Sequence, residues 1–242
     1  MYNKIKMDKK SIKILGSIFL AVVTLFVAFF SYKYIKNQNI GRNNIVGLDI
    51  NNLPEYKGKP YVVINNNEPN FDNSELVPKS FEKYSELDSL KRCGVADSII
   101  GQDLMPTSKR ESISSVKPSG WKSIKYNIVE GGNLYNRCHL IGFQLAGENA
   151  NKRNLITGTR YLNTKGMLPF ENMVSDYVKE TNNHVRYRVT PIFVGNELVA
   201  RGVQIEAISI EDNGKAIKFN VYCFNVQPNI EIDYKTGESR RK

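Results

Sequence analysis

The sequence predicts an α+β fold: an antiparallel β-sheet core carrying one ββα unit, preceded by an N-terminal transmembrane helix. Three observations predict it. Short alternating apolar segments in the later part of the chain are separated by Gly195-Asn196 and Asn213-Gly214, dipeptides that readily supply the backbone of tight hairpin turns. Between Leu134 and Glu171, two brief apolar runs and a helical pattern succeed one another as strand, strand, helix. Near the N-terminus, Ile14 to Phe30 is a run of seventeen residues without a charge.

That run sets the expected topology. At about 1.5 Å rise per residue, with Ser31 and Tyr32 at the interface, it approaches a hydrocarbon core of about 30 Å. Five lysines and only Asp8 precede it, which places residues 1–13 in the cytoplasm. Phe29-Phe30-Ser31-Tyr32 lacks the small residues that a processing site requires, so residues 14–32 read as an uncleaved signal anchor. Cleavage would instead give a secreted form. The expected location is the cell membrane, single-pass, with the folded domain outside. Residues 33–56, rich in Asn and Gly with weak periodicity, form a tether, and residues 57–242 the domain. The whole chain carries a formal +10, but residues 41–242 hold 27 basic against 23 acidic side chains, a net +4. Part of the basic pI is therefore a topogenic signal, and the remainder suits a polyanionic ligand without demanding one.

Within the domain, Pro60 to Asn65 predicts a strand and residues 65–70 a loop. Ser80 to Tyr84 predicts a short helix with Ser80 as cap. Val95-Ala96 lies in a further strand, and residues 106–120 form a polar loop. Trp121, the single tryptophan, leads into a strand over residues 124–129, ahead of the Gly131-Gly132 turn. Pro169 to Lys179 is an amphipathic helix with proline tolerated in its first turn. His184–Phe193 and Leu198–Ile210 make a hairpin, and Ala216–Phe224 follows it. Arg186 and Arg188 alternate with Val185, Tyr187 and Val189, which predicts a solvent-facing pair. No internal repeat is evident.

The candidate chemistry centres on one of the chain's two histidines. His139 closes the run that begins at Leu134, so a strand end holds an imidazole, which titrates near neutral pH. Alone it would be an ordinary buried histidine. Asn154, however, opens a second strand, and Asn163 ends the helical pattern that starts at Gly158, so the ββα unit directs an imidazole and an amide into one crevice. Cys93, Cys138 and Cys223 are too scattered for a zinc module, and whether any two form a disulfide is open. Cys138 and His139, as strand neighbours, point to opposite faces and make an improbable nucleophilic couple.

Asn136-Arg137-Cys138-His139, with Asn154, Asn163 and Glu171 beyond, resembles the DNA/RNA non-specific endonucleases, the ββα-metal or His-Me finger nucleases, in their Gram-positive secreted or membrane-anchored type. The family motif is Asp-Arg-Gly-His, then an Asn-Ile/Leu strand start, a metal-binding Asn on the crossing helix and a later Glu. The likeness covers roughly residues 55 to 240, with two departures: Asn136 stands for the motif Asp and Cys138 for its Gly.

The resemblance implies a membrane-anchored extracellular endonuclease that hydrolyses DNA, and by extension RNA, to 5′-phosphate products. His139 would be the general base, Asn163 the protein ligand of a single Mg²⁺ with Mn²⁺ as substitute, and Glu171 the group orienting a water in the metal shell. Glu171 also fits a helix-start carboxylate. Asn154 would steady His139 or the substrate, or simply shape a turn. The implied substrate contacts are Arg110, in competition with Lys109, together with Arg137 and Arg160, which either reaches the groove or solvates the helix face. No small-molecule cofactor is implied. The alternative is a catalytically weakened nucleic-acid-binding receptor of the same fold.

Overall fold

The computed structural model describes residues 48–242. The expected cytoplasmic end, membrane anchor and most of the tether lie outside the described residues. The strands in chain order are β1 (Tyr61–Val63), β2 (Phe81–Tyr84), β3 (Ala96–Ile100), β4 (Tyr135–His139), β5 (Leu155–Thr159), β6 (Val185–Ile192), β7 (Gly202–Ser209), β8 (Lys218–Phe224), β9 (Ile230–Ile232) and β10 (Ser239–Arg241). The helices are α1 (Phe143–Ala146) and α2 (Leu168–Thr181). Six strands form one antiparallel sheet in the order β1-β8-β7-β6-β3-β2, while β4-β5 and β9-β10 are separate two-stranded ladders.

Alternation explains how the sheet is covered. Val185, Tyr187 and Val189 on β6, with Val203 and Ile205 on β7 and Val221 and Cys223 on β8, face a core completed by Phe170, Val174 and Val178 of α2. Leu140, Ile141 and Leu162 belong to the same core, so it reaches from the central sheet to the ββα unit. Burying each such side chain contributes about 1.5–3 kcal/mol, which is what seats α2 and β4-β5 on the sheet. A second cluster of Val129, Leu134, Tyr135 and Ile230 packs β9 beside the start of β4. Asn182 ends α2 in the left-handed conformation, with its N–H donating to the Val178 carbonyl at 2.9 Å.

The structure corrects four expectations. Ser80–Tyr84 is not a capped helix: Phe81 to Tyr84 pair with Ile99 to Ala96 of β3, and the Ser80 hydroxyl donates to Asp103. That pairing is supplied by residues about fifteen positions downstream, outside the reach of a local propensity. Residues 124–129 are not a strand: one bridge, Lys125 to Asn133, precedes a turn closed by Gly131 and Gly132, both at positive φ. The helical pattern ending at Asn163 and the helix beginning at Pro169 are one continuous run. A π-helical turn, Leu162–Met167, joins them, with the Leu168 N–H donating to the Asn163 carbonyl. Pro169 has no N–H for the Lys165 carbonyl, and the ladder widens over the turn ahead of it.

Finally, Arg186 and Arg188 do not face solvent. The Arg186 side chain is 2% exposed, paired with Asp97 at 2.6 Å and Glu75 at 2.8 Å, and lies over the Phe71 and Phe81 rings. Arg188, a fifth exposed, meets Glu206 at 3.0 Å and also lies over the Phe71 ring. Residues in the 66–81 stretch pack over this face of the sheet, turning what alternation marks as an outer face into a partly buried ionic layer.

Candidate active site

Six of the residues singled out by sequence line one cavity of about 670 Å³: Arg110, Arg137, His139, Arg160, Asn163 and Glu171. They arrive from the 106–120 loop, the end of β4, the start of the helical run, its π turn and the first turn of α2. Lys117 and Lys122 also line it, so Glu171 is the one carboxylate among five lysine and arginine side chains. Such a lining attracts polyanions.

His139 is buried, at 6% exposure, and hydrogen-bonded. Its Nε2 lies 2.8 Å from the carbonyl oxygen of Asn149. A carbonyl only accepts, so Nε2 carries the hydrogen and Nδ1 keeps its lone pair. Nδ1 in turn lies 3.5 Å from the Arg110 guanidinium. Burial lowers the pKa of His139 below 6.5, and the Arg110 charge adds to that, against the opposing pull of the Asn149 carbonyl and Glu148. The ring is thus held neutral at physiological pH with its accepting nitrogen fixed.

Asn154 does not line the cavity. It is fully buried, its Oδ1 accepts the Ile141 N–H at 2.9 Å, and its Nδ2 donates to the Ile141 carbonyl at 2.9 Å. The Leu140 N–H donates to its main-chain carbonyl. Asn154 thereby extends the β4-β5 ladder past His139 and fixes the chain two residues beyond the imidazole. Its geometry is that of a positioning residue.

Asn163 lies in the π turn, and among the described residues its side-chain amide has no hydrogen-bond partner. Glu171 is half-buried behind Gly142, so close that a Cβ on Gly142 would meet the carboxylate at 2.7 Å. Burial pushes its carboxyl up to about 7, opposed by Gln144 and Arg110. Among the described residues no three His, Cys, Asp or Glu side chains cluster as a metal cage. An unpartnered amide oxygen and one carboxylate in the same cavity suit instead a hard divalent ion that keeps most of its waters.

Arg137 is committed to the protein. Its Nε donates to the Val116 carbonyl, its Nη2 to the Ser114 carbonyl at 2.9 Å, and its guanidinium lies 4.1 Å over the Trp121 ring. It shapes the 106–120 loop before it meets any ligand. Arg160 lines the cavity with Nη2 a loose 3.6 Å from Glu130, and among the described residues its buried Nε has no partner. Asn136 lines the cavity too, with its buried Oδ1 unpartnered among the described residues. Cys138 points the other way, into the core, and burial pushes its thiol far above the usual range. All three cysteines are free and buried. The residues missed by sequence are Asn149, Gly142 and α1 itself. No spacing marks them: the Asn149 carbonyl that meets His139 is one that any residue has, and Gly142 acts by lacking a side chain.

A family model described as DNA/RNA non-specific endonuclease matches residues 66–210. A curated deoxyribonuclease from Streptococcus dysgalactiae subsp. equisimilis is 26% identical over 196 residues, 64% of this chain; the chain spans 59% of that relative. NucA from Streptococcus agalactiae with magnesium ion bound superposes with a TM-score of 0.69 at 25% identity, covering 87% of this chain and 97% of that one. The Sda1 nuclease with bound zinc ion gives 0.62 at 27% identity over 76% of this chain and 97% of its own.

Proposed function

The chain belongs to the DNA/RNA non-specific endonuclease family, and from that premise we propose that it hydrolyses phosphodiester bonds of DNA, and of RNA, at the cavity around His139. The observation that carries the reading is the lock on His139: the Asn149 carbonyl holds Nε2–H, leaving Nδ1 as a proton acceptor beside Arg110. In this mechanism Nδ1 takes a proton from the water that attacks phosphorus in line, the bond to the 3′ oxygen breaks, and that oxygen gains a proton from solvent to leave a 3′-hydroxyl on one end and a 5′-phosphate on the other. Arg110 faces the charge that builds on the phosphate, and Arg160 with the lysines steers the backbone by charge and shape, not by base edges.

Asn163 would hold a divalent ion through its amide oxygen, and Glu171, in the same cavity, would orient a water that the ion keeps. When bound, the ion supplies positive charge opposite the phosphate oxygens. Magnesium is the proposed ion; the magnesium in the NucA structure and the fit of a one-amide site to a hydrated hard cation support it. The proposed setting, a domain held outside the cell by residues 14–32, is supported by the uncharged run Ile14 to Phe30 and the lysines before it.

The test is incubation of the full-length protein with supercoiled plasmid, single-stranded DNA and RNA in Mg²⁺, with and without chelator. Chelator-sensitive nicking supports the reading. Retention of nucleic acid without cleavage would replace it by the receptor.

A further inference from the structure

The loop carrying Arg110 has few ties. Between Pro106 and Glu111, among the described residues, two hydrogen bonds are made: the Glu111 N–H to Asn149 Oδ1 at 2.8 Å, and Arg110 Nη2 to His139 Nδ1 at 3.5 Å. The next fixed points, the Ser114 and Val116 carbonyls on Arg137, come three and five residues later. Asn149 thus acts at both ends. Its main-chain oxygen accepts from His139 Nε2, and its side-chain oxygen accepts from the residue beside Arg110. The contacts close a ring through His139, Asn149, Glu111 and Arg110.

We propose that the Asn149 side chain is a positioning residue for phosphodiester cleavage, holding the Arg110 guanidinium at the phosphate on which His139 acts. The inference rests on the nuclease reading above. An exposed arginine on an untethered loop samples many rotamers and backbone positions, all of which must be lost as the transition state forms. Fixing the peptide next to it removes part of that loss in advance. The two roles of Asn149 separate by substitution, because Asn149→Ala keeps the carbonyl that sets the His139 tautomer and deletes the acceptor that tethers Glu111.

The experiment measures kcat/KM on a defined oligonucleotide for full-length wild type, Asn149→Ala, Asn149→Asp, Arg110→Ala and the Asn149→Ala/Arg110→Ala double variant. Asn149→Ala should lose about tenfold, Asn149→Asp should recover most of that because a carboxylate oxygen accepts the same N–H, and the double variant should be no worse than Arg110→Ala. An Asn149→Ala or Arg110→Ala protein as active as wild type would overturn the proposal, as would losses that multiply in full or an Asn149→Asp no better than Ala. Active wild type with any of these outcomes leaves the nuclease reading standing. Wild type without cleavage removes both.

Discussion

Cys138 and Gly158 share one volume: the Cys138 thiol lies where a side chain on Gly158 would begin, across the β4-β5 ladder. The residue that departs from the family glycine is therefore accommodated by a glycine on the partner strand. Gly158→Ala should lower stability by about 1–3 kcal/mol through overpacking. In a Cys138→Gly background the same substitution should be close to neutral. Thermal melts of the two single variants and the double variant measure the coupling; additive effects would mean the two positions do not share space.

His139→Ala should cut cleavage by about 10²–10⁴-fold while nucleic-acid binding persists, since the cations that hold the backbone are untouched. In His139→Gly, added imidazole should return part of the rate, increasingly as pH rises and the free ring loses its proton. A purified His139→Ala protein that cleaves like wild type would end the proposed mechanism.

The pH profile should show the mark of Arg110. A general base works unprotonated, so activity present at neutral pH is lost as pH falls through the pKa of His139. Burial and then Arg110 depress that pKa, which places the acid limb of kcat/KM below 6.5. Arg110→Ala removes one of the two depressing causes and should shift the limb upward. A limb that stays put in the variant would remove Arg110 from the neighbourhood of the titrating ring.

Asn163→Ala should leave the fold intact, because the amide has no protein bond to lose and alanine suits a helix. Activity should fall and require far more Mg²⁺ to recover. An unchanged metal titration would move the ligand elsewhere in the cavity.

Arg186→Ala should destabilise by about 1–3 kcal/mol, since it takes the shared cation from the partly buried Asp97 and Glu75. Chemical denaturation reads it directly. A loss under about 1 kcal/mol would mean that water reaches the two carboxylates.

His139 and Asn163 could be placed in one crevice from sequence because their neighbours repeat at strand and helix periods over short distances. Glu171 came from the family motif alone, since the proline two residues before it marks equally well a carboxylate at a helix start. Arg186 was misread for a definite reason: alternation says that Arg186 and Tyr187 face opposite sides, but not that residues 66–81 cover the side Arg186 takes. β2 was misread because its partner, β3, is a non-local choice. Arg137 matched a motif letter yet is bound to loop carbonyls, and motif letters do not say whether a guanidinium is free. Asn149 is invisible to pattern because its main-chain oxygen, which any residue has, makes the decisive bond to His139.

The edge strand β1 takes its partner from β8, pairing Tyr61 with Cys223 and Val63 with Val221. On a chain synthesised from its N-terminus, β1 must wait, unpaired, until residues 218–224 have been made. At about 5–20 residues per second that wait is on the order of ten to thirty seconds. During it Val63 has no native mate, whereas β3, β6, β7 and β8 can each pair with a strand of the sheet already made. β1 is thus the strand that closes the sheet last, and a nascent chain arrested before β8 would present the open β7 edge to whatever chaperone or neighbouring chain it met first.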